Sequence, residues 1–272
     1  MRWQAASRGT YYPKQAQPIE FQTSKGGKDK AEKKIAETDA IFENVHKINK
    51  FADESEGVIR LSIDTKAMIK IGPFSRGGRN RQGESACDHD FEPEDALKLF
   101  ALHLPQTGDS WFFFTRSNVT ADFMVDSLQR VWPDLKEKFD PHTIVINADN
   151  GPENNSSRTQ FIKRMVDFAE EKKIDVSLAY YPPYHSKYNP VERVFGVLEN
   201  HWKGELFHSA EKVIGLAENM KWKGIKPIVT MVDGIYKTGV RLSKSVMKNY
   251  EKAIERVKGL EKWFVDILCF CG

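Results

Sequence analysis

Residues 143–202 read TIVINADNGPENNSSRTQFIKRMVDFAEEKKIDVSLAYYPPYHSKYNPVERVFGVLENHW, and the fold is decided there. The opening TIVINA is a β-branched, apolar run that stops at Asp149-Asn150-Gly151, three turn formers in a row. Residues 158–173 follow as a helix and 175–181 as a second strand. Pro182-Pro183 cannot continue that strand, and a long helix runs from Pro190, a residue suited to the first helical position, to 204. Strand, helix, strand, helix is the order of an α/β sheet.

Upstream, VIRLSID (58–64) alternates β-branched residues and closes on an acid, and a second short strand is expected over 67–71. GPFSRGGRNRQGE (72–84) has three arginines among glycines and no apolar period, and reads as a basic loop. WFFFTR (111–116) is a buried strand by its aromatic run, and 120–132 a helix with Phe123, Leu128 and Val131 inward. Before these, Ala31, Ile35, Phe42, Val45, Ile48 and Ala52 recur at helical steps and predict one amphipathic helix over 30–52. Downstream, helices over 210–222 and 243–257 enclose a strand-like run at 227–232. Adjacent strands followed by strands alternating with helices predict a mixed α/β sheet covered on both faces.

Composition narrows the class. With 272 residues, 40% hydrophobic and 11% aromatic, the chain buries one substantial core. The 41 Lys+Arg nearly balance 38 Asp+Glu, so any surface for nucleic acid is local rather than global. Cys87, Cys269 and Cys271 form neither a disulfide framework nor a zinc-ligand spacing. No run approaches the roughly 18 apolar residues of a membrane span, and MRWQAASRGT lacks the apolar centre of a signal peptide, so a cytoplasmic protein with no membrane partner is expected.

Three acids stand out. Asp64 ends the first strand and Asp149 a later one; neighbouring strands would set them side by side, although Asp also ends strands as ordinary turn chemistry. Asn189 fits a helix N-cap and Glu192 the third helical position, so Glu192 is either half of a capping box or a functional carboxylate. Gly196, at a cost of about 1 kcal/mol relative to Ala in mid-helix, shares a face with Glu192 and Glu199, while Val191, Phe195, Leu198 and Trp202 take the core face. Hard oxygen ligands converging on two divalent cations are what metal-assisted phosphoryl transfer requires.

The series SIDTK (62–66), TRSNVTADF (115–123), INADNGPENNSSRTQF (146–161), AYYPPYHSKYNPVERVFGVLE (179–199), MKWKG (220–224) and YKTGVRLSK (236–244) resembles the DDE transposases of bacterial insertion sequences, in the ISAzo-type branch related to the mariner-like superfamily. The resemblance covers about 60–264, and its most specific piece is Pro-Pro-Tyr followed by Asn-Pro-x-Glu. It implies a ribonuclease-H-like fold and an acidic triad at Asp64, Asp149 and Glu192, the last two 43 residues apart as in mariner-like enzymes. It implies two Mg2+ or Mn2+ ions, DNA partners at the element ends and the target, a homodimer on DNA, and a bacterial, nucleoid-associated setting. The expected organisation is a flexible tail (1–29), a helix and linker (30–56), the ribonuclease-H-like catalytic domain (57–206) and a helical C-terminal extension (207–272).

Supporting positions have two readings each. Asn150 and Asn154 either orient Asp149 or make ordinary turn bonds; His185 either meets a phosphate or holds the loop ahead of the catalytic helix. Arg76, Arg79 and Arg81 in the basic loop, with Lys187 and Arg193 beside the acids, suit phosphate contacts or plain solvation. Tyr180, Tyr181 and Tyr184 either stack on an unpaired base or pack the sheet edge. Asp88-His89-Asp90 is no metal cluster, because consecutive strand residues face opposite sides.

Two other activities share these acids: a ribonuclease-H-like nuclease that only hydrolyses, and an inactive transposase-derived DNA-binding protein. Residues 1–29 lack the apolar periodicity of a helix-turn-helix, the module that reads the inverted repeats in this family, so a truncated copy is expected. Such a core binds DNA with little sequence preference, with a dissociation constant of about 10⁻⁴ to 10⁻⁶ M at physiological salt that weakens steeply as salt rises. Competition between the element's terminal repeat and scrambled DNA checks this; a preference above roughly 10³-fold for the repeat would overturn it.

Overall fold

The computed structural model describes residues 34–74 and 92–269. Its centre is β1 (Val58–Ile71), which pairs antiparallel with β2 (Asp95–His103), itself antiparallel to β3 (Ser110–Thr115). On the other side of β1 lie β4 (Thr143–Ala148) and then β5 (Asp175–Tyr180), both parallel. β6 (Ile228–Met231) extends the sheet beyond β3, and β8 (Phe264–Ile267) with β7 (Ile254–Arg256) beyond β5. The order β6-β3-β2-β1-β4-β5-β8-β7 is the expected mixed α/β sheet, with added edges.

Two of the central strands differ from the reading of the sequence. β1 is one strand rather than two, because a register shift between Lys66 and Ile69 lets Ala67 and Met68 bulge outward, both exposed, while pairing with β2 continues. β2 was not expected at all: DALKLFALH has no β-branched residue, and its strand state comes from pairing on both sides.

The helices divide between the two faces. α2 (Ala121–Phe139) and α3 (Thr159–Lys172) close one face, with Met124, Leu128, Phe161 and Met165 around Ile63, Phe100, Leu102 and Ile146. α4 (Pro190–Trp202) and α5 (Ala210–Asn219) close the other against Ile69, Leu99, Ala101, Phe112 and Phe114. The aromatic run of β3 is therefore buried on both sides, with Phe113 towards the first core and Phe112 and Phe114 towards the second. α1 (Thr38–Glu54) joins the α4 face: Asn147, which alternates with Ile146 along β4, donates from Nδ2 to Asn49 Oδ1 at 2.9 Å.

Helix ends moved where tertiary contacts outweighed local signals. α2 runs seven residues beyond the expected stop at 132 despite Pro133, since the buried side chains of Trp132 and Leu135 hold both sides of the proline on the sheet. The segment after 206 contains the two expected helices, α5 and α6 (Lys244–Tyr250), together with the strands β6, β7 and β8 that attach it to both edges of the sheet. The second of those helices is half the expected length, because the chain turns at Glu251–Ala253 to enter β7. No helix among the described residues is long and apolar enough to cross a membrane.

Candidate active site

Parallel pairing of β1 with β4 sets Ser62 opposite Asn147. Two residues further along each chain stand Asp64 and Asp149, so both carboxylates leave the same face of adjacent strands, whose spacing is about 4.8 Å. That face is the one covered by α1 and α4. A hollow of about 250 Å³ opens beside the two acids, lined also by Thr65, Gly151, Glu153 and Asn154.

Glu192 reaches the same place through a bond network at the start of α4. Asn189 occupies the N-cap position as expected, but its side chain does not cap the helix. Its Nδ2 donates to the Ile63 carbonyl at 2.9 Å, and its Oδ1 accepts from Ser62 Oγ at 2.5 Å. Ser62 Oγ in turn accepts from the Val191 backbone N–H at 2.9 Å, so a strand serine caps the helix in place of the asparagine. Ser62 and Asn189 are both fully buried. Glu192 is thereby left to hydrogen-bond with Asp64.

Burial first, then the charges of Asp149 and Glu192 and the bond to Glu192, push the Asp64 carboxyl up to about 8, although the Thr65 N–H donating at 2.6 Å works in the opposite direction. Uncompensated negative charge of this kind suits a site that receives cations. The next acid on that helix, Glu199, is paired with Lys66 at 2.8 Å.

The loop after β4 is built around Asp149. Asn154, buried, donates from Nδ2 to Asp149 Oδ1 at 3.0 Å, and its backbone carbonyl accepts from Tyr180 Oη at 2.6 Å. Asn154 Oδ1 is buried with no hydrogen-bond partner among the described residues. A Cβ at Gly151 would lie 3.1 Å from both that oxygen and Asp149 Oδ2, so a glycine keeps this cradle of hard oxygens open. Asn150 faces away from it, donating to the Lys262 carbonyl at 3.4 Å.

The remaining candidates scatter. His185 is buried, bonded through Nδ1 to the Pro183 carbonyl at 2.7 Å and stacked with Tyr188 beside Phe42 of α1, which is the geometry of a residue that holds the loop. Lys187 and Arg193 are exposed on either side of Asn189. Tyr180 and Tyr181 are buried in the core, leaving Tyr184, 69% exposed, as the one of the three tyrosines open to a base. Arg76, Arg79 and Arg81 lie outside the described residues. Sequence reasoning passed over Ser62, whose only signal was its place two residues before the first acid.

A family model described as the Rhodopirellula transposase DDE domain matches residues 17–269. The chain belongs to that transposase family. A comparison with curated proteins finds no match. Among solved structures, this DDE domain is similar to a Mos1 transposase paired-end complex with the left transposon end, at 13% identity and a TM-score of 0.48 over 71% of this chain and 56% of that one. It is also similar to a Mos1 mariner paired-end complex with Mn, at 14% identity and TM-score 0.46 over 71% and 57%. The Mos1 strand transfer complex gives 14% identity and TM-score 0.45 over 71% and 56%. The DDE domain thus spans a little over half the length of these proteins.

Among the described residues no three His, Cys, Asp or Glu side chains surround a single metal-sized point. Asp64 instead feels both other acids, through a hydrogen bond with Glu192 and the repulsive charge of Asp149. Because the folded state holds the Asp64 proton up to about pH 8 whereas an unfolded Asp releases it near 4, the folded state binds more protons between those values. The metal-free protein should therefore lose stability as pH rises from about 4 to 8, and Asp64→Asn should flatten that slope. Urea unfolding across this range measures it; identical slopes in both proteins would refute the assignment.

Proposed function

We propose that this chain is the catalytic core of a DDE transposase that cleaves DNA and transfers the cut strand, with Asp64, Asp149 and Glu192 as its acidic triad. The observation that carries this reading is the β1–β4 register, which sets Ser62 opposite Asn147, two residues before Asp64 and Asp149, while Ser62 and Asn189 tie the helix of Glu192 to the same strand. Membership of a transposase DDE family supports it.

The donor set fits divalent cations. Three carboxylates and the unpartnered Asn154 Oδ1 are hard oxygens of the kind Mg2+ and Mn2+ take. Two bound ions would supply charge stabilisation for the attacking and leaving oxygens of a phosphodiester. Asp64 and Asp149 hold from the sheet, Glu192 holds from the helix, and Asn154 fixes the orientation of Asp149 through its 3.0 Å bond. Asp64 gives up a proton when ligated, so loading is favoured as pH approaches 8. Lys187 and Arg193 stand where a DNA backbone would pass, and the open surface at Gly196, where a Cβ meets nothing within 4 Å, leaves room for it. In this reading the protein acts on element ends and target DNA as a homodimer, in the bacterial cytoplasm at the nucleoid.

Nicking of supercoiled plasmid in Mn2+ tests the proposal. Asp149→Asn should lower the rate by at least roughly 100-fold, since metal-assisted charge stabilisation is worth several kcal/mol. Unchanged nicking in that variant would sink the triad, and release of products from a pre-cleaved end without joining to target would leave a hydrolytic nuclease instead. Gly196→Leu should reduce nicking while melting stays level or rises, because helix propensity improves and the folded protein has space for the side chain. Parallel loss of both would make Gly196 a packing residue only.

A further inference from the structure

Between β6 and α6 the chain crosses the open ends of α2 and α3 as an irregular strap. It is pinned at both ends: the Tyr236 N–H donates to Ser117 Oγ at 2.8 Å and its hydroxyl to Asp126 at 3.0 Å, while the Leu242 N–H donates to Thr159 Oγ1 at 3.0 Å. Residues 234–250 contain no acid. Lys237 and Arg241 along it, and Lys244 and Lys248 on the adjoining α6, are exposed and form no ion pair among the described residues. Elsewhere basic side chains are commonly neutralised locally, as Arg164 is by Asp122 and Asp126 or Lys138 by Asp109.

Beneath the strap lies a cavity of about 690 Å³, larger than the hollow beside the acids. Arg241 lines it from the strap, and Ser157, Arg158 and Thr159 line it from the start of α3. Glu153 pairs with Arg158 at 3.0 Å, so Arg241 supplies the uncompensated charge. Arg158 Nε is buried with no hydrogen-bond partner among the described residues. Gly239, at φ +76 with nothing within 4 Å of a Cβ, lets a second backbone come close. Pro152 and Glu153 line both this cavity and the hollow holding Asp64 and Asp149, so the two are continuous along one loop.

We propose that this strap and cavity bind the phosphate backbone of duplex DNA, seating one phosphate at Arg241 and its neighbours on Lys237, Lys244 and Lys248, as the DNA leaves the acids along the 151–158 loop. The inference rests on the transposase reading and assigns it a binding track separate from Lys187 and Arg193. A pinned strap loses little conformational freedom on binding, and a row of unpaired cations releases the counterions that drive non-specific affinity.

Fluorescence anisotropy of a labelled random duplex of about 30 base pairs, measured across a salt series, tests it. Each phosphate contact contributes about 0.9 to the slope of log affinity against log salt. Arg241→Ala should reduce the slope by about 1, and the combined Lys237→Ala, Arg241→Ala, Lys244→Ala, Lys248→Ala variant by about 3 to 4, with weaker binding throughout. Thermal melting shows whether each variant is folded, and the single substitution keeps the test intact if the combined one is not. A folded variant with unchanged slope and affinity, beside wild-type protein that binds and nicks, overturns the track alone. Wild-type protein that neither binds nor nicks DNA overturns the transposase reading together with it.

Discussion

A single buried hydroxyl organises the centre of this molecule. Ser62 Oγ donates to the Asn189 side chain and accepts from the Val191 N–H, and the same asparagine grips the backbone of β1 at Ile63. All partners are shielded from water, so breaking one bond leaves another buried polar group unsatisfied, at a cost of about 1–3 kcal/mol. The network transmits the position of β1 to the first turn of α4. Without it, Glu192 would depend on apolar packing alone, which sets distance well and rotation poorly.

The second constraint is the pairing of β1 with β4. The register sets Ser62 opposite Asn147, two residues before Asp64 and Asp149, and a slip of one residue would turn one strand's side chains towards the apolar core. Arg60 and Asn147 also hold these two strands against α1: Arg60 pairs with Asp53 at 2.7 Å, and Asn147 bonds Asn49. Polar fastenings within otherwise apolar strands define the register more sharply than packing does.

Much of this was legible in the sequence where one segment carried its own signal. TIVINA followed by Asp-Asn-Gly marked β4 and its end, and Asn-Pro before a helical run marked the start of α4. The elements missed were those made by partners. β2 has leucines and alanines that suit a helix equally well and is a strand because β1 and β3 flank it; β8 is four residues long, too short for a period to show. The capping role of Ser62 was equally hidden, since it depends on a residue 129 positions away. Asn189 illustrates the limit of local rules: its position was right and its bonding partner was not.

The attachment of β8 to β5 has a consequence for synthesis of the chain. β5 is paired on one side by β4, and on its other side, among the described residues, by β8, made about ninety residues later. Until β8 emerges, β5 is an apolar edge able to recruit any strand that offers itself, including its counterpart on a neighbouring ribosome. The protein is therefore most prone to mispair during translation, and a chain stalled before Phe264 should be a better substrate for chaperones than the finished molecule.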